Sequence, residues 1–217
     1  RYLKELVSSE LLQRLSGTSG DYTLGSKIAV LDYISRTTDP LVQISIPFMQ
    51  QIVERTGFGC LLTHLNYDSC IDIRHELYKD MTTLIYGRGC PRPIYKGSSA
   101  KVILAHLPKQ RILDYYQRFV PELAEVGFAH SEEEFLLQMK QIKKQGYYFS
   151  NGEVDPNLAS LSIPVKFSSK EPPLALTLLG SRNRFEFINF QKLVEILQEN
   201  AAKKEKKFAE LSSDDEL

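Results

Sequence analysis

Two segments in the last third of the chain, LASLSIPV (158–165) and LALTLLG (174–180), constrain the fold most. Side chains alternate along a strand, so Leu158, Ser160 and Ser162 share one face while Leu161, Ile163 and Val165 share the other. In the second segment Ala175, Thr177 and Leu179 face one way, and Leu176 and Leu178 oppose them. A wholly apolar strand face must be covered, so both segments require a second layer of structure. The polar residues on the opposite faces have two readings. Ser160 and Thr177 meet in one semi-polar cavity, or they sit in the core or face solvent.

The remaining segments supply more strands and the covering layer. CLLTHL (60–65), a turn at 66–69 and CIDIR (70–74) read as a hairpin, MTTLIYG (81–87) as a third strand, and RGCPRP (88–93) as an irregular loop. Asp39 caps a helix that starts at Pro40 and ends at Gly57, with Leu41, Ile44, Phe48 and Ile52 on its apolar face and a kink expected at Pro47. Further helices fit 100–107 and 108–119. Ser131 and Glu134 form a capping box that opens a helix ended by Gly146. A strand fits 147–149. A last helix starts near Phe187, with Phe190, Leu193, Leu197 and Ala201 on one face, and its charged tail (203–217) is expected to fray. Before these, a helix end, a strand, a polar tip (16–21) and a returning strand (22–25) describe the back half of a winged helix, followed by a helix at 26–36. The fold class is α/β (α+β): an antiparallel sheet with flanking helices.

Composition removes several function classes. Lys+Arg and Asp+Glu both number 27, so there is no global pull toward nucleic acid. No apolar run reaches the ~20 residues of a membrane helix. Cys60, Cys70 and Cys90 show neither disulfide nor zinc spacing and read as thiols in a reducing cytoplasm. His64, His75, His106 and His130 pair with no nucleophile motif, although His64 on its strand is able to face a cavity. No catalytic set, metal site or cofactor is indicated. The rival reading, an enzyme using one of the three cysteines, has no motif behind it.

Six local motifs, in order, resemble the IclR family of bacterial transcription regulators. They are Arg1-x-Leu3-x-x-Leu6, Tyr22-x-Leu24-Gly25, Pro47 to Gly57, the segment 93–105 (PIYKGSSAKVILA), Gln145-Gly146-Tyr147, and Glu153 to Pro164. The resemblance implies a GAF- or profilin-like effector-binding domain at 39–211, joined by a linker helix (26–38) to the remnant of a winged helix-turn-helix DNA-binding domain (1–25), with a flexible tail at 212–217. The start at Arg1, inside a helical pattern and without Met, points to a truncated N-terminus. Homodimers or homotetramers and a cytoplasmic location follow from the family. Operator DNA is then a partner of the complete protein only.

The same resemblance implies a ligand site. In the family, backbone N–H groups matching Ser98 and Ser99 hold an effector acid, and Ser160, Thr177 and Leu179 stand where it has a Cys and two Ser. Small residues at a helix start favour such anions, although an ordinary Ser cap is the plainer reading. Met81 and Leu84 match an apolar wall, with Leu158 on the facing strand. The pocket Asp of the family is replaced by Ser150, and one hydroxyl by Leu179. A site that has lost both groups is less polar and suits a small organic acid with an aromatic or otherwise bulky body. Arg92 stands where the family is apolar. Its guanidinium fits a carboxylate in fork geometry, against the alternative of a solvated loop arginine. In residues 1–27 four basic side chains oppose three acidic ones, so Arg1 and Lys4 are either phosphate contacts or ordinary surface charges.

Overall fold

The fold is taken from a computed structural model of the chain. It describes residues 1–17, 20–79, 84–167 and 171–214, the last six of these in backbone only. The chain divides into two compact units, Arg1–Gln43 and Ile44–Leu217.

The first unit runs α1 (Tyr2–Ser8), β1 (Leu12–Arg14), β2 (Tyr22–Leu24) and α2 (Lys27–Thr38). β1 and β2 pair antiparallel, Leu12 opposite Leu24 and Arg14 opposite Tyr22. Gly25 allows the tight return after β2, because a Cβ there would lie 1.9 Å from the Glu10 carbonyl oxygen. α2 buries no residue; Val30, Leu31, Tyr33 and Ile34 all stay exposed. The Asp39 carboxylate accepts the N–H groups of Leu41 (2.9 Å) and Val42 (3.3 Å), the expected cap of α3 (Pro40–Thr56).

The second unit is a six-stranded, wholly antiparallel sheet. Its strands are β3 (Gly59–Asn66), β4 (Ser69–Glu76), β5 (Pro91–Pro93), β6 (Tyr148–Asn151), β7 (Leu158–Val165) and β8 (Leu174–Ser181), in the order β5-β4-β3-β8-β7-β6. Ser160 opposes Leu179 and Ser162 opposes Thr177, so the polar side chains of β7 and β8 share one face. Leu61 and Thr63 of β3 join that face through Thr177 and Ala175. The other face holds Cys60, Leu62, Leu161, Ile163, Leu176 and Leu178, all at most 1% exposed.

Helices cover both faces. On the polar side lie α4 (Ser98–Leu104), α5 (Lys109–Arg118), α6 (Val120–Glu125) and α7 (Glu132–Gln145), and a core of Val102, Ile103, Ile112, Phe135 and Met139 meets Cys70 and Ala175 of the sheet. The capping box of α7 is formed: Glu134 N–H donates to Ser131 Oγ (3.1 Å) and His130 N–H to Glu134 Oε2 (2.7 Å). Gly146 ends that helix in the left-handed region at φ 76°. After α8 (Arg182–Glu186), α9 (Phe190–Asp214) lays Leu193, Val194, Leu197 and Ala201 against β7, and Arg55 of α3 reaches Glu199 of α9 (3.8 Å).

Three expectations need correction. Residues 84–87 form no strand, while 81–83 fall outside the described residues. The segment read as an irregular loop supplies β5 instead, a three-residue edge strand in which two prolines leave few ladder donors. The buried residues of α3 are Val42, Ile44, Ser45, Met49 and Ile52; Leu41 and Phe48 are only half-buried, which rotates the face. α9 runs to Asp214, and residues 215–217 of the tail expected to fray lie outside the described residues.

Candidate functional site

On the polar face the sheet leaves a cavity of about 50 Å³, room for roughly three to five water molecules. Leu61, Ser150, Leu158, Ser160, Thr177 and Leu179 line it from the sheet, Leu84, Ile85 and Tyr86 from the segment before β5, and Glu153, Val154 and Asp155 from the β6–β7 connection. Asp72 and Arg92 close the remaining side.

A chain of hydroxyls forms the polar edge. Ser98 Oγ lies 2.7 Å from both Ser160 Oγ and Ser162 Oγ, and Ser162 Oγ lies 2.7 Å from Thr177 Oγ1. Each hydroxyl both donates and accepts, so such a chain satisfies itself without water. Ser162 is central to it and was not foreseen as a site residue, although its alternation with Ser160 placed it on the same face. Ser99 is buried but does not line the cavity, and its Oγ has no hydrogen-bond partner among the described residues.

The turn before α4 has an internal anion. Gly97 N–H donates to Glu153 Oε2 (3.1 Å), Lys101 Nζ forms an ion pair with the same oxygen, and Tyr148 Oη donates to Oε1 (3.4 Å). Lys101 is 1% exposed, and its ammonium also lies 4.1 Å from the Phe128 ring centre. Burial pulls the Lys101 pKa below the usual lysine value, and Glu153 opposes that fall. Burial, reinforced by Glu153, pushes the Tyr148 hydroxyl upward. Gly97 holds φ 84°, and a Cβ there would stand 3.0 Å from Val154 Cγ2, so glycine lets the Glu153 loop approach.

A second polar group stands beside the same turn, with Arg92 Nη1 3.9 Å from where a Cβ on Gly97 would lie. Arg92 Nη2 donates to Asp72 Oδ1 (2.6 Å) and to Thr63 Oγ1 (3.0 Å); Thr63 Oγ1 donates to Asp72 Oδ1 (2.6 Å), and His75 Nε2 lies 3.3 Å from Oδ2. Burial alone would raise the Asp72 carboxyl, but His75, Arg92 and Thr63 together hold it below the ordinary carboxylate value. Arg92 is therefore a buried, ion-paired residue of β5 and not a solvated loop arginine.

Of the residues anticipated for a ligand site, Leu84, Arg92, Ser150, Leu158, Ser160, Thr177 and Leu179 line the cavity, and Ser98 joins its hydroxyl edge. Met81 lies outside the described residues. Asp72, Lys101 and Glu153 were missed, since the ion pairs Asp72–Arg92 and Lys101–Glu153 join residues 20 and 52 positions apart and leave no local pattern. His64 does not line the cavity. In the first unit Arg1 is exposed and pairs with Glu5 on its own helix (3.2 Å), and Lys4 is exposed. Burial pushes the thiols of Cys60 and Cys70 up to about 12, so neither is a nucleophile near neutral pH. Among the described residues there is no cluster fit to hold a metal ion, and no helix is long and apolar enough to cross a membrane.

The model of the bacterial transcriptional regulator IclR C-terminal domain matches residues 33–205. No curated protein sequence matches the chain. Among solved structures, an IclR homologue from Microbacterium hydrocarbonoxydans in complex with 4-hydroxybenzoate is 19% identical, with a TM-score of 0.73 over 95% of this chain and 83% of that one. The IclR of Thermotoga maritima is 17% identical, TM-score 0.72, over 95% and 83%. A transcriptional regulator from Rhodococcus is 17% identical, TM-score 0.74, over 97% and 84%. These identities speak for the fold. Taken with a family match that spans most of its length, they show that the chain belongs to the IclR family of bacterial transcriptional regulators.

Proposed function

We propose that residues 39–211 bind a small organic acid and pass that event to operator DNA through a winged helix-turn-helix whose remnant is residues 1–25. The observation that carries this reading is the cavity itself: a preformed space where an arginine, three hydroxyl-bearing strand residues and a wall of Leu84, Leu158 and Leu179 converge. Pockets of this composition, mostly apolar with a few aimed polar groups, are the ordinary form of small-molecule sites. A volume near 50 Å³ favours a small acid. A bulkier or aromatic one needs the Leu84–Tyr86 segment to give way, and the related protein that holds 4-hydroxybenzoate makes that body worth testing.

Signal transfer requires the acid to favour one of two arrangements of the complete protein. The helix at 26–38 suits the role of link and subunit contact in a homodimer or homotetramer, because it exposes Val30, Leu31, Tyr33 and Ile34. Arg1 and Lys4 then lie where phosphate contacts are made, and the regulator works in the cytoplasm. The test is thermal melting of this chain against a series of acids. A ligand at 100 times its Kd stabilises by about 2.7 kcal/mol, and no shift with any acid would overturn the reading.

A second reading has its own support. Ser160 and Thr177 are already hydrogen-bonded within the protein, as they would be in a pocket that has lost its ligand and serves only as an oligomerisation scaffold. The open cavity favours sensing over this alternative.

A further inference from the structure

We infer that the groove between α5 and α7 is a second ligand site, one that takes an aliphatic carboxylate with a medium-length chain. The groove has a volume of about 350 Å³, against about 50 Å³ for the cavity on the sheet, and the two share no lining residue. Eight residues form it. A stable protein interface takes about 20–30 residues from each side, whereas small-molecule sites run from about 300 to 1,000 Å³. The size therefore suits a small molecule and not a partner protein.

Floor and rim have opposite chemistry. The floor is aliphatic: Leu107 follows α4, Ile112 comes from α5, and Leu136 and Met139 come from α7. Leu107, Ile112 and Met139 also belong to the core, which holds the floor in place, and Leu136 is half-buried. The rim is Lys109 of α5 with Lys140 and Lys143 of α7, all three exposed. Among the described residues no acid lines the groove, and none of the three lysines has an ion-pair partner. In the sequence no Asp or Glu stands three or four positions from any of them, the spacing at which a helix pairs its charges. Lys140 and Lys143 are instead neighbours on one face and repel each other. The excess charge reaches His106, between the lining residues Ala105 and Leu107. Burial pulls its pKa below the usual histidine value, the hydrogen bond to the Val102 carbonyl opposes that fall, and Lys143 and Lys166 deepen it.

Three uncompensated cations over an aliphatic floor complement an anion that carries its own hydrocarbon. A purely polar anion would leave the floor wet, and an uncharged hydrocarbon would leave the lysines unpaired. A carboxylate at the rim meets the ammonium groups, while its chain lies on the floor beside the apolar stems of the lysines. A second copy docked here about a two-fold axis would set the same patch against itself, lysines facing lysines.

The test is calorimetric titration of the chain with hexanoate, octanoate and decanoate below their micelle concentrations, each beside the alcohol of the same length. Acid affinity rises about two- to fourfold for each added methylene. Lys109→Gln, Lys140→Gln and Lys143→Gln combined weaken the acid about three- to thirtyfold and leave the alcohol unchanged. All three positions are exposed, so the variant keeps the fold. Leu136→Asn weakens acid and alcohol alike, by about three- to tenfold. The lysines line no part of the cavity on the sheet, so an acid held there would not respond to their loss. Acid binding unchanged in the triple variant therefore overturns the groove site and leaves the proposed function standing. Affinity that does not rise with chain length, alcohols that bind as tightly as acids, or no binding of any of these acids also overturns it. Self-association of the chain in sedimentation that the triple variant abolishes would assign the groove to a second copy and overturn it too.

Discussion

Lys204 is the least expected side chain in the molecule, and its replacement makes a sharp prediction. It lies on the buried face of α9, 0% exposed, with its ammonium 5.0 Å from the Phe167 ring centre and no hydrogen-bond partner among the described residues. Burial pulls its pKa down to about 7, against small upward pushes from Cys60 and Glu205. In the unfolded chain the value is 10.5, and one pKa unit is 1.36 kcal/mol, so at or below neutral pH the folded state bears about 5 kcal/mol of desolvation. Between pH 7 and 10.5 the unfolded chain holds more protons than the folded one, and stability rises with pH across that window. Lys204→Met keeps the unbranched shape and removes the charge. After about 1–2 kcal/mol is subtracted for the lost cation–π contact, the variant gains about 3 kcal/mol near pH 6.5. For a unit of this size that is roughly 6–12 °C in melting temperature. Melting curves of both proteins, followed by circular dichroism from pH 6.5 to 10, check it. The gain must shrink as pH rises; a gain independent of pH, or a loss at pH 6.5, would show that the buried Lys204 charge does not destabilise the fold.

Three further outcomes are expected. Glu153→Gln or Lys101→Met alone leaves a buried charge uncompensated and costs about 3–5 kcal/mol, whereas the double variant loses much less than the sum in a double-mutant cycle of urea melts. Gly180→Ala would set a Cβ 2.5 Å from the Phe58 ring, which is packed on Phe185 at 4.4 Å between centres; a loss of about 1–3 kcal/mol should appear in the same melts. In a thiol titration of the native chain only Cys90 reacts quickly, because Cys60 and Cys70 are buried, and all three react in denaturant.

The parts of the fold that were legible share one property: the signal and the structure are both local. Alternation along 158–165 and 174–180 placed Ser160 and Thr177 on one face because the pleat has a period of two. Ser131, Glu134 and Gly146 announced α7 because cap chemistry is contained within a few residues. What escaped was set across distance. β5 reads as a loop because two of its residues are prolines, and only pairing with Ser69–Ile71 makes it a strand. The phase of α3 slipped by one residue because Ser45, a polar residue, is on the buried side. Arg92 looked like a surface arginine until Asp72, on the neighbouring strand, supplied its counter-charge. The Glu153 carboxylate at the Gly97 turn has the same origin: a contact between residues 56 apart is decided by tertiary structure.

In the proposed function, acid binding and DNA binding are coupled. The most direct measurement is the operator affinity of the complete protein, with and without a saturating acid identified by melting. Coupling energies between sites are typically about 1–3 kcal/mol, so the expected change in operator Kd is about 5- to 150-fold, with the acid's own affinity altered by the same factor when operator is present. An operator affinity that stays constant while the acid fills its site would contradict it.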